Sequence, residues 1–288
     1  MLLIADSGST KCDWILYNTG KQKPLRITTK GLNPSILDKK RFSKIIENTP
    51  DFYTYKNEVT SVYFFGAGCA TKKSQAKAEK LISTFFVNAK VTAREDIMAA
   101  VWATTCEPAV VCILGTGSNC CYFDGNKTHS RTPSLGYMVM DEGSGNYFGK
   151  ELLKGYYYKQ MPEDLRTKFE STYNLNEKKV TNKLYQSSTP NKYLAEFAHF
   201  LFENKRHPYI SKLIKDGINK FIENHVLQFR EELNSAPIHF VGSIAYYSMD
   251  FINTALLEKG IRVSSFVKRP IENLINHLEE DHFQIELS

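Results

Sequence analysis

A chain of 288 residues that is 42% hydrophobic, with 18 Phe and 16 Tyr, has the composition of a globular protein. It can bury roughly three quarters of its unfolded surface, enough for one large domain or two medium ones. The net charge of +6 comes from Lys and Arg interspersed with Asp and Glu rather than from a basic block, so no nucleic-acid partner is expected. No apolar run approaches the ~20 residues of a membrane span, and residues 1–5 carry no basic leader or cleavage pattern, so a cytoplasmic chain without a membrane partner is expected.

The first elements are two strands, Leu2–Ala5 and Asp13–Tyr17, around the small-residue turn Asp6-Ser7-Gly8-Ser9-Thr10. Such a turn presents backbone N–H groups and hydroxyls, which suit phosphate oxygens. It is not a P-loop, because G-K-[ST] is absent and a strand follows instead of a helix. Asp6 could hold the water shell of Mg²⁺ or make an Asx-turn bond, and the local sequence favours neither. Strands over Leu25–Thr29 and Ser61–Gly66 and helices over Asp38–Glu47 and Ser74–Phe86 complete a mixed α/β sheet. Asp96–Cys106 is apolar on most sides and reads as a buried helix, with Asp96 at its N-terminal end, where a carboxylate is favoured.

The pattern restarts at Pro108. Strand Ala109–Leu114, the turn Gly115-Thr116-Gly117-Ser118 and a second strand ending at Phe123 repeat the first hairpin, although this copy has no carboxylate in its turn. A boundary at Pro108 therefore predicts domains 1–107 and 108–288. A Gly-rich passage, Ser134–Gly149, contains Asp141-Glu142-Gly143-Ser144, which reads as a capping cluster or as a grip for a polyhydroxylated ligand. Mainly helical sequence follows to Glu232, then strand Ile238–Val241, the turn Gly242-Ser243, helix Ala245–Lys259, strand Arg262–Val267 and a final helix after Pro270. Gly242-Ser243 fits a nucleotide or a plain βα turn equally well.

Other signals are weak. The six cysteines form no C-x-x-C pair and the seven histidines no H-x-x-x-H pair, which speaks for a reduced core and against zinc or an iron–sulfur cluster. Tyr156-Tyr157-Tyr158 and Tyr246-Tyr247 read as packing residues.

In order, the Asp-Ser-Gly-Ser-Thr-Lys hairpin, the Asp-x-x-x-Ala helix, the Gly-Thr-Gly-Ser hairpin, Gly-x-x-x-x-Asp-Glu-Gly-Ser and the late Val-Gly-Ser resemble the N-acetylglucosamine kinases. That family belongs to the BadF/BadG/BcrA/BcrD-type ATPases of the actin, hexokinase and heat-shock-chaperone superfamily. The resemblance implies two ribonuclease-H-like α/β domains with mixed sheets flanked by helices, and a nucleotide cleft between them. The second would carry a helical insertion, and the last helix would pack back on the first. It also implies ATP and Mg²⁺ as cofactors, a small sugar as substrate, and leaves a homodimer open.

Position by position, the resemblance places ATP phosphate at Ser7, Gly8, Ser9, Thr10 and Lys11 and at Gly115, Thr116, Gly117 and Ser118, and adenosine at Gly242 and Ser243. Asp96 matches the catalytic carboxylate. Asn33, Asp96, Gly136 and Asp141 match sugar-contacting positions, and Asp6 would face the metal through water. Leu135 stands where the mammalian-type motif has an aromatic residue. The implied reaction is phosphorylation of N-acetylglucosamine at its 6-hydroxyl. Glucosamine or another hexose derivative, or activation of a radical enzyme, are the alternatives.

Overall fold

The computed structural model describes all residues except 9–10, 18–22, 35–37 and 280–288. In chain order the first elements are β1 (Leu2–Ser7), β2 (Lys11–Tyr17), β3 (Leu25–Lys30), α1 (Lys39–Glu47), α2 (Pro50–Tyr55), β4 (Ser61–Gly66), α3 (Lys72–Ser83), β5 (Lys90–Glu95) and α4 (Asp96–Trp102). There follow β6 (Ala109–Leu114), β7 (Ser118–Phe123), β8 (Thr128–His129), α5 (Gly145–Tyr157), α6 (Glu163–Thr172), α7 (Glu177–Tyr185), α8 (Pro190–Glu196), α9 (Ala198–Glu203) and α10 (Pro208–Asn224). Two 3₁₀ turns lead into β9 (Ile238–Val241), α11 (Ser243–Tyr247), α12 (Met249–Leu257), β10 (Val263–Val267) and α13 (Pro270–Glu279).

The residues divide into two compact units, Met1–Thr104 together with the helix that starts at Pro270, and Thr105–Arg269. Each is built on a mixed five-stranded sheet, ordered β3-β2-β1-β4-β5 in the first and β10-β9-β6-β7-β8 in the second. Read from the other edge, the second order is β8-β7-β6-β9-β10, the same arrangement. In both, three antiparallel strands joined by hairpins are followed by two strands parallel to the first.

The sheet of the first unit is covered on both faces, which explains the continuous apolar runs Leu2–Ala5 of β1 and Val62–Phe65 of β4. Leu3 and Ala5 of β1 turn toward Trp14, Phe52, Phe64 and Ile82, while Ile4 turns the other way toward Ile15, Phe65 and Ala99. Small residues let α4 lie close to the sheet, with Ala99 and Ala100 fully buried. In the second unit α5, α10 and α12 bury one apolar face against Val110, Cys112, Leu114 and Phe240.

The second unit ends at Arg269, and the last helix belongs to the first. The amphipathic helix α13 returns to the first unit, burying Ile271 and Leu274 beside Ile4 and Phe65. Asn273 Nδ2 donates to the Ala103 carbonyl at 3.0 Å, and Arg26 pairs with Glu272 at 2.9 Å. Two further local differences are physical. The expected helix 245–259 is broken at Ser248, whose backbone leaves helical geometry between α11 and α12. The helix at Asp96 stops at Trp102 instead of Cys106; Ala103 is its C-cap, and the Thr104 hydroxyl beyond it shares its hydrogen between the carbonyls of Ala100 and Val101, both at 2.9 Å.

Candidate functional site

In the first unit the parallel strands end side by side. Ser7 of β1 is in register with Gly66 of β4, and Gly66 with Glu95 of β5. In open α/β sheets ligands gather outside such carboxyl ends. Asp6 leaves β1 there and Asp96 opens α4 there, so the two carboxylates stand two strands apart. Both are half-buried. Burial pushes Asp6 up to about 7, helped by the charges of Asp96 and Asp13 and opposed by Lys11. Burial also raises Asp96, against the lowering effect of N–H groups of Asp96 and Ile97 in the first turn of α4. Asp96 is not an N-cap: Glu95 occupies that position and makes no side-chain cap bond.

Three neighbours tie this edge together. The Ser7 hydroxyl accepts the Leu32 N–H at 2.8 Å, and the Ser7 carbonyl accepts from Ala67 at 2.8 Å. Ser7 is fully buried, so its hydroxyl is used to fix the segment that carries Asn33. Gly68, with φ +90°, lies directly against Asn33: a side chain there would come within 2.2 Å of Asn33 Oδ1. Cys69 follows, its thiol pushed up to about 12 by burial and by the charges of Asp96, Glu95 and Glu79. Asn33, Gly68, Cys69 and Asp96 thus form one neighbourhood. Lys11 pairs with Asp13 at 2.7 Å, and Gly8 sits in the turn above. Ser9 and Thr10 lie outside the described residues.

In the second unit Gly115, Thr116 and Gly117 make a three-residue turn between Leu114 and Ser118, which are paired in the ladder. The turn is docked on the start of α5: the Gly145 N–H donates to the Gly115 carbonyl at 2.8 Å and the Asn146 N–H to the Thr116 carbonyl at 3.0 Å. Two orphan donors of the helix are satisfied this way. Because a trans peptide sets N–H opposite C=O, the same contacts aim the N–H groups of Thr116 and Gly117 away from α5. The turn accordingly directs two donors outward, the arrangement a phosphate oxygen needs.

Asp141 clips the turn from the side. Its Oδ1 accepts the Ser118 N–H at 3.3 Å and its Oδ2 accepts from Asn146 Nδ2 at 2.7 Å. Asp141 is buried, with φ +71°, a conformation that non-glycine residues rarely adopt. The second hairpin, which has no carboxylate in its own turn, receives one from 23 residues away. The fit is close, since a Cβ on Gly117 would stand 2.9 Å from Asp141 Oδ2. Gly242, with φ +113°, brings the β9–α11 turn against the same hairpin; a Cβ there would lie 2.3 Å from the Leu114 carbonyl oxygen. The structure therefore gathers Gly115–Ser118, Asp141 and Gly242-Ser243 in one place. Gly136 lies in a turn five residues before Asp141, with open space where a side chain would be.

Sequence reasoning missed Gly68, Asn146 and Lys150. Lys150 Nζ donates to the Tyr137 carbonyl, and burial lowers its pKa. Gly66-x-Gly68 after a strand was the available signal for the first; nothing marked the other two. Among the described residues all cysteines are free, and no group of three His, Cys, Asp or Glu side chains is placed to hold a metal alone. No helix among them is long and apolar enough to cross a membrane.

Comparison with known proteins agrees with this architecture. The model of the BadF/BadG/BcrA/BcrD ATPase family matches residues 5–273, and the chain belongs to that family. Among solved structures, a candidate N-acetylglucosamine kinase from Porphyromonas gingivalis is 30% identical, with a TM-score of 0.90 over 98% of this chain and 100% of the other. A second candidate N-acetylglucosamine kinase, from Chromobacterium violaceum, is 12% identical with a TM-score of 0.70 over 96% and 98%. A ROK family glucokinase from Streptomyces griseus, solved with glucose and AMPPNP, is 12% identical with a TM-score of 0.55 over 97% and 98%; these last two show a shared fold. No curated protein matches the sequence.

Proposed function

We propose that this member of the BadF/BadG/BcrA/BcrD ATPase family is a sugar kinase that transfers the γ-phosphoryl group of ATP to the 6-hydroxyl of N-acetylglucosamine. The observation that carries the reading is Asp96: a half-buried carboxylate at the carboxyl edge of a parallel sheet, its pKa raised by burial, beside Asn33 and Gly68. A base tuned upward toward working pH suits proton removal from a sugar hydroxyl. The similarity to the Porphyromonas gingivalis protein supports the choice of sugar.

In this reading Asp96 accepts the proton of the acceptor hydroxyl as its oxygen bonds to the γ-phosphorus, and ADP leaves. Asn33 and Gly136 hold sugar hydroxyls. Asp141 has lone pairs left after its two bonds within the chain and can accept from a sugar hydroxyl as well. Gly115–Ser118, Gly8 and Lys11, with Ser9 and Thr10, hold phosphate oxygens, and Gly242-Ser243 lie beside adenosine.

The residues present fit these cofactors. The turn at Thr116 and Gly117 aims two N–H groups outward, the hydroxyl of Ser118 is buried without a partner among the described residues, and Asp6 is a hard oxygen donor next to other carboxylates. Mg²⁺ keeps several waters and takes further ligands from phosphates, so one facing carboxylate is enough. When bound, it would neutralise charge developing on the phosphates.

The test is ADP release with and without sugar. Asp96→Ala is expected to lose sugar-dependent release by about 10²–10⁴-fold while still binding ATP. Full activity in that variant would remove Asp96 from the role.

A further inference from the structure

His225 closes the C-terminal end of α10, with its ring stacked on Phe221 at 5.1 Å and 24°. It is buried, and neither its position nor its neighbours follow from the motifs above. Its Nδ1 lies 3.2 Å from the Thr132 hydroxyl and its Nε2 3.4 Å from a Glu142 carboxylate oxygen. A carboxylate only accepts, so Nε2 carries hydrogen toward Glu142; in the neutral ring Nδ1 then accepts from Thr132. Thr132 and Glu142 flank the loop 133–141, so one imidazole holds both ends of the segment that contains Gly136 and Asp141.

Within that loop the other restraints are few and local: Tyr137 packs against the core, and Asp141 is clipped to Ser118 and Asn146. The Gly136 carbonyl accepts from Val139 and Met140 at 3.2 and 2.9 Å, and Lys150 holds the Tyr137 carbonyl. Leu135, Met138 and Val139 are exposed and add almost no burial. The turn at Gly115–Ser118 is anchored differently, by the strand ladder, α5 and the two bonds of Asp141. Loss of the His225 contacts frees Thr132 and Glu142 and loosens the loop between them, while the Asp141 bonds and the pairing of Arg131 with Glu232 stay in place.

From this geometry we propose that His225 is a positioning residue for loop 133–141, and that it governs sugar affinity rather than nucleotide affinity. The sugar half of the inference rests on the kinase reading above; the clamp on the loop does not. If the competent loop conformation falls to about a tenth of the population, the apparent affinity for sugar weakens about tenfold.

Two measurements on the full chain test it. In the first, chymotrypsin is used to cut at Leu135 and Tyr137, with thermal melting as a control for folding. His225→Leu is expected to cut about tenfold faster there, and His225→Gln, which keeps a donor for Glu142, close to the wild-type rate. Equal rates in wild type and His225→Leu overturn the clamp, whatever the substrate is. In the second, KM is measured for N-acetylglucosamine and for ATP. His225→Leu is expected to raise the sugar KM about tenfold, with the ATP KM within about twofold and His225→Gln largely restoring it. KM values that rise together, or a sugar KM that does not move, overturn the sugar role. A wild-type chain that turns over no sugar fails the kinase reading and the sugar role together, while the cleavage rates still decide the clamp.

Discussion

Asp6 and Asp96 stand at the carboxyl ends of β1 and β5 with β4 between them, and the charge of Asp96 is the second-largest cause, after burial, of the Asp6 carboxyl lying at about 7. A pair of carboxylates whose environments hold both above the usual range is a frequent mark of acid–base and cation-binding sites. The coupling is also measurable without any substrate.

Removing one charge should lower the other group. In Asp96→Asn the Asp6 carboxyl is expected to titrate below about 7, because a repulsive neighbour is gone while burial stays. Carboxyl ¹³C chemical shifts followed against pH read this directly. An unmoved Asp6 midpoint would mean that the two groups do not sense each other.

The same group makes folding stability depend on pH. Folded Asp6 holds its proton to about 7, whereas its ordinary value is 3.8. Between these values folding takes up a proton, so this contribution is fully present below 3.8 and is lost as pH rises through about 7. Asp6→Asn, which cannot ionise, should melt higher than wild type at pH 8 and much like it at pH 4. The reverse order at pH 8 would show that ionised Asp6 is stabilised in the fold.

Gly242 and Gly117 allow the second hairpin its neighbours. Gly242→Ala must place a Cβ at φ +113° within 2.3 Å of the Leu114 carbonyl oxygen, and strain of this kind costs of order 1–3 kcal/mol. Gly117→Ala brings a Cβ to 2.9 Å from Asp141 Oδ2 and should displace the clip. Both variants are expected to weaken ATP binding at least about tenfold by calorimetry, equal to about 1.4 kcal/mol. Wild-type ATP affinity in both would separate this turn from nucleotide binding.

Asp141→Ala leaves the Ser118 N–H and Asn146 Nδ2 without their partner, a loss of about 1–3 kcal/mol for buried donors. Because the clip serves the Gly115–Ser118 turn and, in the proposed kinase, the same side chain accepts from sugar, both KM values should rise in this variant. A rise in the sugar KM alone would mean that the turn keeps its shape without the clip.

Much of this was legible from local pattern. The duplicated hairpin shows in the apolar runs around Gly8 and around Gly115–Gly117, and the two sheets repeat the same strand order. β5 was not legible: Lys-Val-Thr-Ala-Arg-Glu has only Ala93 fully buried, as suits an edge strand with little apolar alternation. The return of α13 to the first unit was implied only by family resemblance, since an amphipathic face does not name its partner. The clip from Asp141 to Ser118 and the bridge from His225 to Glu142 span 23 and 83 residues. Periodicity and turn chemistry report only on near neighbours, so neither contact has a local signal. Gly68 beneath Asn33 is of the same kind, a tertiary approach between two loops that look ordinary by themselves.

The most direct test of the central claim is ³¹P NMR of the products after incubation with ATP, Mg²⁺ and N-acetylglucosamine. The account predicts equimolar ADP and a phosphomonoester coupled to the protons on carbon 6 of the sugar, both absent when Asp96→Asn replaces the wild-type protein. Inorganic phosphate as the sole phosphorus product beside ADP, or a sugar phosphate formed equally well by Asp96→Asn, would contradict it.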